Sequence, residues 1–263
     1  MVNKKNWKVI LCQRDKIILR DLFYSKGLDI ETLIHRYFKG RHKTTVAKRL
    51  NRLYDGNYLT KGAHVGRSKN QIVYTISPKG FHEIQEILSG QVARREFKSS
   101  NIEHDLQLAR IFDRLSSSRG LLEIKTENEI QSIIFGNNDL SYEPLRRLNT
   151  DIYFSLLIKE KEYKVAIEFE RTQKESSRWA DYLLNYHLEE SIDVALYICN
   201  GQQILNGLKK IESELALKYS GKIFFCTLHD FYLNKEIATF VNTNGKLFTM
   251  NFHSQDYLQP TSA

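Results

Sequence analysis

Asp151, Glu168, Glu170 and Lys174 are the residues of this chain whose types and spacing could do chemistry. Glu168 and Glu170 lie two apart in the run KVAIEFE. Val165, Ile167 and Phe169 point one way there, and Ala166, Glu168 and Glu170 the other. Two carboxylates on one face of a core strand are costly unless they are paired, solvated or bound to a metal. Asp151 opens an earlier apolar run, DIYFSLLI, and Lys174 follows the acids where the strand pattern gives way to a helical one. One acid on a strand and two on the next make a set of hard oxygen ligands suited to magnesium or manganese. An ion held by Asp151, Glu168 and Glu170 would activate a water and neutralise charge on a phosphate, and Lys174 would offset the negative charge that develops. Glu127 or Glu129, from an earlier acidic run, could complete the shell. The competing reading is a salt-bridge network at a strand end, with Glu168 or Glu170 paired to Arg171, Lys174 or Arg178.

The elements that must position these residues follow from hydrophobic period. Residues 121–125 and 130–135 read as strands and 137–150 as an irregular loop. Residues 151–158 and 163–170 read as strands joined by the charged hairpin KEKE. A helix then spans 174–188, with Trp179, Tyr182, Leu183 and Tyr186 at helical spacing. The two tyrosines read as core rather than nucleophiles. Strand 193–199, helix 204–219 and strand 222–227 complete a strand–helix–strand–helix–strand order, which implies parallel crossovers. With the preceding hairpin the sheet is mixed, so the fold class expected is mixed α/β. This second domain is placed at 102–240, followed by a partly disordered C-terminal extension at 241–263. His104 and Asp105 fall near the first turn of a helix from Ile102, and His104 reads as a hydrogen-bonded packing residue before a ligand.

The first domain, placed at 1–92, has a different character. Helices are expected at 14–26, ended by Gly27, and at 30–38, with Asp29 as N-cap and Gly40 closing it. A third, TVAKRLNRLYDGNYL, is capped by Thr44 or Thr45. It turns Val46, Leu50 and Leu53 inward and Lys48, Arg49, Asn51 and Arg52 outward. Strands at 58–62 and 71–76 flank a basic tip that holds Arg67 and Lys69, and Ser77 then caps a helix with Pro78 at its first position. Residues 91–101 read as a linker. Residues 1–95 carry 20 Lys and Arg against 7 Asp and Glu, and the remainder 19 against 24. A strongly basic part on a mildly acidic remainder suggests that the first grips a polyanion, with Lys48, Arg49, Arg52, Arg67 and Lys69 as its DNA contacts. A solvated charged face is the alternative.

With 41% hydrophobic and 27% charged residues the chain reads as a soluble globular protein. No apolar run approaches membrane-spanning length, and residues 1–8 lack the apolar stretch of a signal peptide. Cys12, Cys199 and Cys226 are scattered, as reduced thiols in a cytoplasmic protein would be. There is no internal repeat, Gly-rich phosphate loop or zinc-ligand spacing.

Three short helices, a hairpin wing and a Ser-Pro-capped helix over residues 10–90 resemble the winged helix-turn-helix family. A helix, a hairpin ending in acids and then β-α-β is similar to the restriction-endonuclease-like core of the PD-(D/E)XK superfamily. By that resemblance Asp151 is the motif's aspartate and Glu168 its second acid. Asn149-Thr150 replaces the usual proline, and Glu170 stands where most members have lysine, so Lys174 would reach back from the following helix. Within that superfamily, His104-Asp105-Leu106 on a helix, then Ile167 to Lys174, Tyr182 and Tyr186, looks like the plasmid replication-relaxation and MobC-type relaxase group. The resemblance implies sequence-targeted, metal-dependent nicking of double-stranded DNA at a plasmid transfer or replication origin, with relaxosome or replication proteins as partners. A homodimer is compatible with it. A non-catalytic plasmid replication or transcription regulator with a degenerate nuclease-like domain stands beside it. A repressor with a small-molecule sensor domain is a weaker third.

Overall fold

Side-chain caps set the boundaries of the first helices. Asp29 accepts the Thr32 N–H at 2.7 Å and starts one, and Ser77 accepts the Gly80 N–H at 3.0 Å and starts another. The computed structural model describes residues 9–65, 70–88, 97–132, 142–216, 218–219 and 221–253. Arg67, Lys69 and the last ten residues lie outside the described residues. The chain falls into two compact units: of the described residues, 9–110 and 131–132 belong to the first, and 111–130 and 142–253 to the second.

The first unit contains α1 (Gln13–Tyr24), β1 (Leu28–Asp29), α2 (Ile30–Tyr37), α3 (Lys43–Asp55), β2 (Leu59–Val65), β3 (Asn70–Ile76) and α4 (Pro78–His82). It also contains the first residues of α5 (Ile102–Leu115). Its three strands form an antiparallel sheet in the order β1-β3-β2. Ile18, Leu19, Leu22 and Phe23 of α1 and Val46, Leu50 and Leu53 of α3 are all fully buried in one cluster. Each such side chain contributes about 1.5–3 kcal/mol relative to exposure, so this shared cluster, more than helix propensity, holds α1 and α3 in place. Helix α4 packs so close to the strand entry that a Cβ on Gly80 would stand 1.9 Å from the Tyr58 carbonyl oxygen, and only glycine fits. The third helix begins earlier than expected from the threonines: His42 is its N-cap, its Nδ1 accepting from Thr44 N–H.

The second unit is mixed α/β. It holds β4 (Leu121–Thr126), the first four residues of α6 (Glu127–Ser132), α7 (Glu143–Leu148), β5 (Ile152–Ile158), β6 (Lys161–Glu170) and α8 (Ser176–Leu188). These are followed by β7 (Val194–Cys199), α9 (Gln202–Leu215), β8 (Ile223–Thr227), α10 (Leu228–Leu233), β9 (Ile237–Val241) and β10 (Leu247–Asn251). The seven strands run in the order β10-β9-β8-β7-β6-β5-β4. The pairs β6–β7 and β7–β8 are parallel and the others antiparallel. Trp179, Leu183 and Tyr186 of α8 and Leu205 and Leu208 of α9 pack on Ala166, Ala195 and Tyr197 of the sheet. Gly207 lets α9 approach Trp179, whose ring carbon would lie 3.0 Å from an added Cβ.

Three expectations are corrected here. Residues 127–132 are helical where a strand was expected over 130–135, of which 133–135 lie outside the described residues: Thr126 Oγ1 accepts the Glu129 N–H at 3.3 Å, and Glu127 and Glu129 place carboxylates in the first turn. Part of the expected loop before Asp151 is α7, stopped by Asn149 at φ 54°. The sheet also runs past residue 240, because β10 pairs along the whole of β9 and so lies within the stretch read as an extension. Among the described residues no helix is long and apolar enough to cross a membrane.

Candidate active site

The registers of the central strands bring the acids together. Ile152 of β5 pairs with Ile167 of β6, so Asp151, one residue before β5, falls opposite Glu168. Residues opposed in an antiparallel pair share a face, and here it is the face of Tyr153 and Ala166, which α8 covers. Asp151 Oδ2 accepts the Phe169 N–H at 2.8 Å, which ties the carboxylate to β6. The Asp151 carbonyl accepts the Glu127 N–H at 2.8 Å, so the start of α6 sits beside the same strand end. Glu129, by contrast, bonds Lys125 at 3.4 Å, and Lys125 also meets Glu123.

Glu168 and Glu170 extend from β6 beside Tyr197 and Cys199 of β7. Glu168 accepts a hydrogen bond from the Tyr186 hydroxyl, whose oxygen also lies 2.8 Å from Thr150 Oγ1. Glu170 is only 3% exposed, and its Oε1 accepts from Lys174 Nζ at 2.6 Å. Lys174 also stands 5.2 Å from the centre of the Tyr182 ring. Arg178 donates to the Tyr182 hydroxyl at 3.4 Å, so its nearest hydrogen-bonding neighbour is a phenol rather than a carboxylate. Of the two tyrosines read as core, Tyr186 is fully buried and Tyr182 only partly.

Electrostatics single out Glu168. Burial pushes its carboxyl well above the usual range, and the neighbouring charges of Asp151 and Glu170 push the same way. The Tyr186 hydrogen bond and Lys174 act against them. The phenols of Tyr186 and Tyr197 are raised too, by burial first and by the charge of Glu168 next. Among the described residues the Tyr197 hydroxyl has no hydrogen-bond partner, and the residue is 1% exposed.

The donor set is chemically suited to a hard divalent cation, which would relieve the repulsion between Asp151 and Glu168. Its third member is otherwise engaged, because Glu170 is ion-paired with Lys174. Among the described residues no three His, Cys, Asp or Glu side chains are grouped as a ready metal site. Sequence reasoning missed Tyr186 as the partner of Glu168, and Thr150 as the partner of Tyr186. A tyrosine on an apolar helix face signals packing, and its hydroxyl finds a polar partner only once the helix is docked.

On the first unit, Lys48 and Arg52 are exposed on α3. Arg49 is turned inward. Its Nε donates to Asp15 Oδ1 at 3.0 Å, its Nη2 bonds Asp15 Oδ2, and Nη2 also meets the Ile10 carbonyl at 3.0 Å. Burial raises the Asp15 carboxyl, but the Arg49 and Cys12 bonds outweigh it and leave it below its ordinary value. His104 bonds its neighbour Asp105 at 3.1 Å. Comparison of the chain with protein-family models, with curated proteins and with solved structures gave no match in any of the three.

Proposed function

We propose that the chain is a DNA-binding protein with a metal-dependent nicking activity, its first unit a winged helix-turn-helix and its second a restriction-endonuclease-like domain. The observation that carries this is the pairing of Asp151 with Glu168 across adjacent strand ends, with Glu170 and Lys174 on the same strand and its exit. An acid at the start of one strand and two on the next, followed by a lysine, is a ligand set for magnesium or manganese beside a phosphate. Asp151 and Glu168 would hold the ion, which when bound supplies an activated water and neutralises phosphate charge. Lys174, bonded to Glu170 and acting electrostatically on Glu168, would offset negative charge at the reacting phosphate. The substrate on this reading is double-stranded DNA at a plasmid transfer or replication origin. The family is the plasmid replication-relaxation and MobC-type relaxases, the partners are relaxosome or replication proteins, and the compartment is the cytoplasm.

The test is incubation of the purified chain with supercoiled plasmid carrying a cognate origin, with and without Mg²⁺ or Mn²⁺. Nicked circles that need metal and vanish with Glu168→Ala support the proposal. Nicking at an undiminished rate by Glu168→Ala rules this site out.

One observation favours the second reading, a non-catalytic DNA-binding regulator. Lys174 neutralises Glu170 and leaves two carboxylates rather than three. On that reading Mn²⁺ does not raise the melting temperature, and no metal yields nicked plasmid.

A further inference from the structure

Four cations from three segments of the first unit line one open concavity of about 360 Å³. Arg14 comes from the first turn of α1, Arg41 from the turn before α3, and Lys48 and Arg52 from successive turns of α3. Gly40, at φ 76°, makes the turn that returns Arg41 beside Phe38, whose carbonyl accepts the Arg41 N–H at 2.8 Å. Phe38 is 4% exposed and also lines the concavity, and Arg14 Cζ stands 4.4 Å from the centre of its ring. Stacking fixes the plane of a guanidinium and leaves its N–H groups for another partner. Thr45 adds an exposed hydroxyl to the rim.

Arg49 also lines this concavity, but its charge is met by Asp15. Among the described residues none of the other four cations has a carboxylate within ion-pair distance. Like charges gathered over an apolar surface repel one another, and their field is focused where water is partly excluded. An anion entering there relieves that repulsion. The volume has room for a phosphodiester and its adjoining sugar.

We propose that this concavity is a phosphodiester subsite that grips the backbone of duplex DNA, with Arg14 and Arg41 as contacts lying off α3 and Arg49 building its wall. The proposal rests on the DNA-binding half of the reading above and is independent of cleavage. The subsite positions the chain on a duplex without reading base sequence.

The experiment measures binding of the full chain to fluorescent duplexes of different sequence over a salt series. It compares the wild type with Arg14→Gln, Arg41→Gln, the double variant and, as a control on the second unit, Lys210→Gln. The slope of log affinity against log salt should fall by about one for each pocket cation removed, alike for every sequence, with melting temperature kept. Lys210→Gln should keep the wild-type slope. If Arg14→Gln and Arg41→Gln keep the wild-type slope while Lys48→Gln and Arg52→Gln lower it, the pocket assignment is wrong and DNA binding by α3 stands. If the wild type binds no duplex in a salt-sensitive way, both fall. A final arm adds inorganic phosphate or chloride at matched ionic strength. Displacement by phosphate beyond that by chloride, lost in the double variant, supports a phosphodiester subsite built by Arg14 and Arg41, whereas equal displacement by the two anions in wild type and double variant alike overturns the proposal.

Discussion

Tyr186 donates its phenolic hydrogen to Glu168 and stands 2.8 Å from Thr150 Oγ1. A phenol has one hydrogen, so the Thr150 hydroxyl must be the donor to Tyr186. Two hydroxyls in series therefore point hydrogens toward a carboxylate whose pKa burial raises and the Tyr186 bond lowers. Tyr186→Phe should lower stability by about 1–3 kcal/mol, the cost of leaving a buried acceptor unsatisfied. It should also reduce the rise in melting temperature on adding Mn²⁺, since the ionised form of Glu168 loses its donor. Calorimetry with and without Mn²⁺ reads both effects. A wild-type Mn²⁺ response in Tyr186→Phe would mean that the bond does not tune Glu168.

The raised carboxyl of Glu168 also fixes the sign of a pH effect. A group whose folded pKa lies above its unfolded value favours folding most below the unfolded value, and that contribution is lost as pH rises through the folded one. Near neutral pH the carboxyl is thus a liability in the absence of metal. Glu168→Gln keeps an acceptor for Tyr186 and removes the charge. Its melting temperature should exceed that of the wild type at neutral and alkaline pH, and the gain should fade as pH falls into the ordinary carboxylate range. A gain that is constant across pH would place its origin elsewhere.

How much of this was legible in the sequence depended on range. Asp29 and the Ser77-Pro78 pair announce helix starts through bonds to backbone three residues on, so a local reading finds them. The opposition of Asp151 and Glu168 follows from strand period and a short hairpin, also local. The apolar stretch from Ile130 fits a buried strand and a buried helix equally, and the decision lay with Thr126 and the acids of the first turn. Arg49 shows the limit most clearly. It lies on α3 between Lys48 and Leu50 and looks like an outward cation, yet its partner Asp15 is 34 residues away and nothing local marks the pair.

That pair makes its own prediction. Asp15 is fully buried, so Arg49→Ala would leave a carboxylate without its cation, at a cost of about 3–5 kcal/mol. Loss of DNA binding by this variant would reflect the fold of the first unit, not a lost contact. The folded pKa of Asp15 is lowered, so the pair's stability is present above the unfolded value and is lost as pH falls through the folded one. Denaturant unfolding of the wild type and Arg49→Met over an acid pH series should show the difference between them shrinking toward low pH. A difference independent of pH would show that Arg49 acts through packing of its stem.

Lys174 decides whether Glu170 can serve a metal. The two are joined at 2.6 Å, and the Glu170 side chain is 4% exposed against 29% for Lys174. Lys174→Met removes the cation and keeps the stem, so in the absence of metal the variant should lose about 1–3 kcal/mol as Glu170 is left buried and unpaired. The charge of Glu170, no longer met by Lys174, then stands beside the carboxylates of Glu168 and Asp151. A divalent ion that reaches all three should raise the melting temperature of Lys174→Met more than that of the wild type. Glu170→Gln in the same background should remove both the loss and the extra metal response, because the residues act as a coupled pair. If Mn²⁺ shifts Lys174→Met and the wild type equally, Glu170 lies outside the ion's reach and its partnership with Lys174 is structural.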